Sequence, residues 1–204
     1  MRGAEDLLAS ILSDSGAVLF GEFRLASGRL SHIYIDLRRL LGRPSSFRIV
    51  ASLLASRVED LKGSLGVDLL AGVATGGIAW ASAVALLTGM PAAYVRPRKE
   101  HGTEAEVEGG SVEGRRALII DDVATTGQSI AAAAGALRRA GAVPVAALVV
   151  VDREQGAREL LRGEGLQLYS LATLRGLLES FEKMGLIGAQ ARRALEEELW
   201  GRAG

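Results

Sequence analysis

"ALIIDDVATTGQSI", residues 117–130, carries an apolar run into two adjacent aspartates and then into a hydroxyl-rich turn around a glycine. The apolar run predicts a strand buried on both faces. The following "GQSIAAAAGALRRA", closed by Gly141, predicts a helix. A helix opening at this turn presents free backbone N–H groups, the positive end of its dipole and the hydroxyls of Thr125, Thr126 and Ser129, which together suit a phosphate. Gly127 lets the backbone approach such a ligand closely. Asp121 and Asp122 would repel the same phosphate. They suit the hydroxyls of an attached sugar, or a Mg²⁺ shared with it. The stretch therefore reads as a sugar 5-phosphate binder, or as an acidic strand end followed by a Ser/Thr-capped helix. These residues alone leave both open.

Outward from this stretch the pattern is strand–helix alternation. "VDLLAGVA" (67–74), "PAAYVRP" (91–97), "PVAALVVVD" (144–152) and "LQLYSL" (166–171) predict strands. "GGIAWASAVALL" (76–87) and "EQGARELLR" (154–162) predict helices, as do the stretches 173–183 and 188–200. Upstream, residues 4–13 predict a short helix and residues 17–40 a hairpin about Ser27 and Gly28. A helix over 45–61 follows Pro44, with Ser45 or Ser46 as its cap. The expected fold class is α/β, an open, mainly parallel sheet with helices on both faces and a small N-terminal hood. The expected organisation is one domain over 1–204, with 1–40 forming the hood and 96–115 a functional loop.

Composition narrows the function classes. Lys+Arg and Asp+Glu both number 24, so the chain has no net charge and does not read as a general nucleic-acid binder. Cysteine is absent, which removes disulfides, thiolate metal sites and a cysteine nucleophile. No segment has the length and apolarity of a membrane span, so a cytoplasmic location is expected. Low aromatic content, 4%, leaves Leu, Val, Ile and Ala to build the core; Trp80 and Trp200 read as packing residues.

Three further strand ends carry unusual residues. "AGVATGGIAWA" (71–81) is either tight packing or a second anion-binding turn. "YVRPRKEHG" (94–102) groups Arg96, Arg98, Lys99 and His101 beside Gly102, as a solvated charge run or a cationic loop. Asp152 and Arg153 end the last long strand. Asp152 suits a helix cap, and Arg153 a bidentate grip on a planar carboxylate.

In this company "ALIIDDVATTGQS" resembles the phosphoribosyl pyrophosphate signature of the type I phosphoribosyltransferases. The glycine-rich turn at 71–81 is similar to that family's pyrophosphate loop. There the backbone N–H groups of Ala74, Thr75, Gly76 and Gly77 would hold the leaving group, without the lysine that some relatives carry. "RPRKEHG" resembles the R-K-x-x-K-x-H-G loop of the orotate phosphoribosyltransferases, one residue shorter, with Pro97 at the first lysine and Arg98 as its substitute. "FRLASGRLSHIYID" (23–36) is similar to the same family's hood. Ala26 stands where some members place a substrate-contacting lysine, so Arg24 or Arg29 would have to supply that contact, and His32 is an ordinary hood residue.

The resemblance implies a type I phosphoribosyltransferase fold and Mg²⁺-dependent transfer of phosphoribose from phosphoribosyl pyrophosphate to orotate. Asp121 and Asp122 would bind the ribose and, through the substrate, the metal. Thr125, Thr126, Gly127, Gln128 and Ser129 would hold the 5-phosphate, with Val123 and Ala124 among the substrate-binding residues, and Thr75 and Gly76 would hold the pyrophosphate. Arg96, Lys99 and His101 would be catalytic, with Arg98 beside them in substrate binding and His101 or Lys99 as proton donor. Arg153 and Thr125 would contact orotate. The family's loop completes the site of a neighbouring subunit, so a homodimer is implied. A purine phosphoribosyltransferase, or a non-catalytic sensor of phosphoribosyl pyrophosphate, is the alternative.

Overall fold

The computed structural model of the chain describes residues 2–24, 30–96 and 106–201. It divides into two compact units, Met1–Phe47 with Ala172–Gly204, and Arg48–Leu171. Each is built by its own burial pattern.

In the first unit α1 (Arg2–Asp14) buries Leu8 and Leu12 completely. Strands β1 (Val18–Arg24) and β2 (Leu30–Ile35) pair antiparallel, as the hairpin reading expects; the residues between them, including Ser27 and Gly28, lie outside the described ones. A 3-10 turn follows over Leu37–Gly42. The C-terminal segments, for which the sequence holds no motif, complete this unit as helices. The first, α6 (Leu174–Lys183), is capped by the Thr173 hydroxyl accepting from the Gly176 amide at 3.1 Å. Its Phe181 is fully buried and meets the Phe20 ring edge-on at 5.8 Å. The second, α7 (Ala189–Trp200), sends Glu198 to accept from the His32 amide at 3.0 Å and to meet its ring Nδ1 at 2.6 Å.

The second unit holds a six-stranded sheet in the order β5-β4-β3-β6-β7-β8. Its strands are β3 (Leu69–Val73), β4 (Ala92–Val95), β5 (Val107–Gly109), β6 (Arg116–Ala124), β7 (Val143–Asp152) and β8 (Gln167–Thr173). Strands β4, β3, β6 and β7 run parallel, and β5 adds antiparallel to β4. Every residue of β3 is buried, as are Leu118–Ile120 and Val149–Val151, which explains the unbroken apolar runs. Each such Leu, Ile or Val contributes roughly 1.5–3 kcal/mol by leaving water.

Helices cover both faces. On one, Ile130, Ala133 and Leu137 of α4 (Gln128–Arg139) and Leu161 of α5 (Ala157–Gly163) pack with Ala71, Ile119 and Val149. Gly72 faces the other way, and a side chain there would lie 3.0 Å from Ala81 Cβ, so α3 (Gly76–Thr88) rests directly on the strand. Trp80 of α3 is buried, as a packing residue should be.

Three local readings are corrected. Helix α2 runs Pro44–Leu65 and starts at the proline itself, with the Phe47 amide donating to Arg43 O at 2.9 Å. Ser45 and Ser46 are thus inside its first turn and neither is its cap; proline's fixed φ and missing N–H suit that first position. Strand β6 continues through both aspartates to Ala124. Strand β5 falls within the stretch expected to be a loop.

Candidate active site

From β3 the chain crosses to β4 on one side, and β6 and β7 then add on the other. The order therefore reverses between β3 and β6, and the crevice beyond their carboxyl ends is where such sheets take ligands. The 71–81 turn and the 117–130 stretch meet there.

Asp121 and Asp122 lie in the second half of β6, before Val123 and Ala124. Asp121 is only 7% exposed, and its Oδ1 accepts from the Asp122 amide at 2.9 Å. Burial pushes its carboxyl up to about 8, with the neighbouring Asp122 charge adding to the effect and the Gly77 amide opposing it. Asp122 is half-buried and accepts from the Val123 amide at 2.8 Å. The β3–α3 turn presses on this pair. A side chain at Gly76 would run into the Asp122 carboxylate, and one at Gly77 into the Ile120 carbonyl. Only glycines allow α3 to start so close to β6.

This contact sorts the amides of the turn. Ala74 N–H donates to Val95 O at 2.8 Å, and Gly77 N–H is directed at Asp121. Neither is available to a leaving group, contrary to the four-amide reading. Thr75, which precedes α3 without capping it through its side chain, and Gly76 keep theirs among the described residues. The peptide joining Ala74 to Thr75 is cis.

Val123, Ala124, Thr125, Thr126, Gly127, Gln128 and Ser129, with Asp121 and Ile130, line a cavity of about 80 Å³. Gly127 sits at the helix entrance with φ 83, and a Cβ there would lie 3.1 Å from Ala157 Cα. The site thus joins a small cavity at a helix N-terminus to an acidic pair beside it.

Arg153 follows β7 directly and is 6% exposed; its amide donates to Ala124 O at 2.9 Å, beside this cavity. Asp152 is not a helix cap. Gly156, at φ 103, stands before α5, and Asp152 instead binds the Glu154 amide at 2.8 Å and Arg158 Nε at 2.6 Å. Arg158 is a residue that the pattern reading missed.

Arg96 follows β4 directly and is ion-paired with Glu108 of β5, which also accepts from the Tyr94 hydroxyl at 2.9 Å. Its amide donates to Glu106 O at 2.9 Å, and Arg139 of α4 reaches the Glu106 carboxylate at 2.7 Å. Arg96, expected to be catalytic, is thus engaged by Glu108 through its side chain and by Glu106 through its amide. Arg98, Lys99 and His101 lie outside the described residues.

Comparison with known proteins places the chain in a family. A phosphoribosyl transferase domain model matches residues 37–163, which defines the class. An orotate phosphoribosyltransferase from Aeropyrum pernix is 49% identical over 176 residues, 85% of this chain and 92% of that protein. A crystal structure of orotate phosphoribosyltransferase from the same organism superposes with a TM-score of 0.78 at 46% identity, covering 89% of this chain and 99% of that one. A Leishmania donovani UMP synthase gives a TM-score of 0.86 at 36% identity; 97% of this chain is covered, but only 42% of that longer one. The chain belongs to the orotate phosphoribosyltransferase family.

Proposed function

We propose that the crevice transfers the 5-phosphoribosyl group from phosphoribosyl pyrophosphate to N1 of orotate, giving orotidine 5′-monophosphate and pyrophosphate. The bond from the anomeric carbon to pyrophosphate breaks as the bond to N1 forms. The observation that carries this reading is the 80 Å³ polar cradle with Asp121 at its edge, beside the strand end that bears Arg153. The cradle suits a 5-phosphate, the acidic pair the ribose hydroxyls, and the Thr75 and Gly76 amides the departing pyrophosphate. Lys99 and His101, with Arg98, supply the cationic loop of this reading, and Lys99 or His101 protonates the leaving oxygen.

Mg²⁺ fits the acidic pair as a partner delivered with substrate. Among the described residues no group of three or more His, Cys, Asp or Glu could hold a metal. Two carboxylates with the remaining places filled by substrate oxygens and water is how Mg²⁺ is commonly bound. When bound it would neutralise charge developing on pyrophosphate. The same reading makes the protein a cytoplasmic homodimer in which the basic loop serves the neighbouring site. No helix among the described residues is long and apolar enough to cross a membrane.

The test is loss of orotate absorbance with phosphoribosyl pyrophosphate and Mg²⁺, with adenine, hypoxanthine and uracil in parallel and EDTA as a control. Turnover of orotate alone, abolished by EDTA, is the expected result; turnover of a purine base instead would refute it. Arg153→Ala should raise KM for orotate about 30-fold, the value of a charge-assisted carboxylate contact, while KM for phosphoribosyl pyrophosphate stays within about 3-fold. Equal rises in both would remove Arg153 from base recognition.

A further inference from the structure

Asp152 is a fully buried carboxylate immediately before Arg153, at the register position facing Ala124. Burying a carboxylate is costly unless charge and hydrogen bonds compensate it. Both are present. Oδ1 accepts from the Glu154 amide at 2.8 Å, so the side chain closes a turn around Arg153. Within that turn Glu154 takes a positive φ of 54, unusual outside glycine. Oδ2 accepts from Arg158 Nε at 2.6 Å. Arg158 continues outward, donating from Nη1 to Leu168 O at 3.1 Å and from Nη2 to the Ser170 hydroxyl at 3.5 Å. Arg153 itself donates its amide to Ala124 O. Its main chain is therefore held to β6 on one side and, through Asp152 and Arg158, to β8 on the other.

We infer that Asp152 and Arg158 are positioning residues for orotate recognition, a bracket that fixes the main chain of Arg153 so that its guanidinium meets the substrate carboxylate. This rests on the reading of Arg153 given above. A planar bidentate contact tolerates little angular error, so the bracket acts on the affinity for the base and not on the phosphoribosyl half of the site. Arg158 is partly exposed and commits its guanidinium to Asp152, Leu168 and Ser170. Its sequence signal was an arginine six residues after the buried aspartate, on the first turn of α5.

The test is steady-state kinetics on the full chain. Arg158→Ala should raise KM for orotate by about 10-fold, the scale on which loss of an orienting partner acts elsewhere. KM for phosphoribosyl pyrophosphate and kcat should stay within about 2-fold. Arg158→Lys, which keeps a charge beside Asp152 but loses the fork to Leu168 and Ser170, should restore part of the loss. Inhibition by uracil, which lacks the carboxylate, should be unchanged. If Arg158→Ala does not fold, Asp152→Asn combined with Arg158→Ala leaves no unpaired buried charge and carries the same test. An unchanged orotate KM in these variants, with Arg153→Ala still raising it, overturns the bracket and leaves the orotate reading standing. Equal rises in both KM values with a fall in kcat also overturn it, by showing a merely structural role. No effect of Arg153→Ala on orotate removes the underlying reading and the bracket with it.

Discussion

Asp121→Asn is expected to raise the melting temperature of the ligand-free protein above pH 8 by roughly 5–10 °C, and to leave it unchanged below about pH 4. The sign follows from the upward displacement of the Asp121 carboxyl to about 8, caused first by burial. Between about pH 4 and pH 8 the folded chain holds a proton there that the unfolded chain has released. Stability from this group is therefore complete below about pH 4 and lost progressively as pH rises through 8. Above that, the wild-type fold carries an ionised carboxylate that is 7% exposed. The full displacement corresponds to at most about 6 kcal/mol, of which relaxation and water leave roughly half. The substituted amide keeps an oxygen for the Asp122 N–H, now at 2.9 Å from Asp121 Oδ1, and carries no charge. Turnover should fall even as stability rises, because an amide cannot ionise to accept a ribose hydroxyl or a metal when substrate binds. Melting curves across roughly pH 4–9 decide it; a difference independent of pH would show that Asp121 is ionised throughout.

Gly77→Ala should destabilise the fold by about 2–4 kcal/mol and lower the melting temperature by roughly 5–12 °C. The added methyl would sit against the Ile120 carbonyl and 3.1 Å from Asp121 Cα, both on the backbone of a central strand. Neither can yield without opening the contact between α3 and β6. Gly76→Ala is the informative comparison. Its methyl meets only the Asp122 carboxylate, a side chain that can rotate away. That variant should lose affinity for phosphoribosyl pyrophosphate with a smaller thermal penalty. Thermal unfolding with substrate titration separates the two, and a Gly77→Ala protein as stable as wild type would contradict the packing described here.

The sheet and the hydroxyl-rich turn after β6 were legible because their causes are local. An apolar run, an acidic pair and a T-T-G-Q-S turn announce a strand, its end and a helix start in order. What escaped depends on partners distant in sequence. Nothing around Ala74 signals that its amide is taken by Val95 O, since that bond exists only once β3 and β4 lie side by side. Asp152 reads as a cap because a helix follows it; its use by Glu154 and Arg158 depends on where α5 packs against β8. Strand β5 is three residues, Val107–Gly109, too short for periodicity, and is defined by its pairing with β4. The helices after residue 172 have a clear helical pattern, yet only the folded chain shows that they share a unit with the N-terminal hairpin.

Strand β5 has a consequence for the solution behaviour of the sheet. Without it, β4 would be an apolar edge whose amides and carbonyls could template pairing with any extended chain. The short addition pairs with Ala93, Tyr94 and Val95 and is only three residues long, with Glu108 held by Arg96 and Tyr94. Strands so short and charged make poor templates for further growth. Three residues of β5 thus guard the sheet against edge-to-edge aggregation.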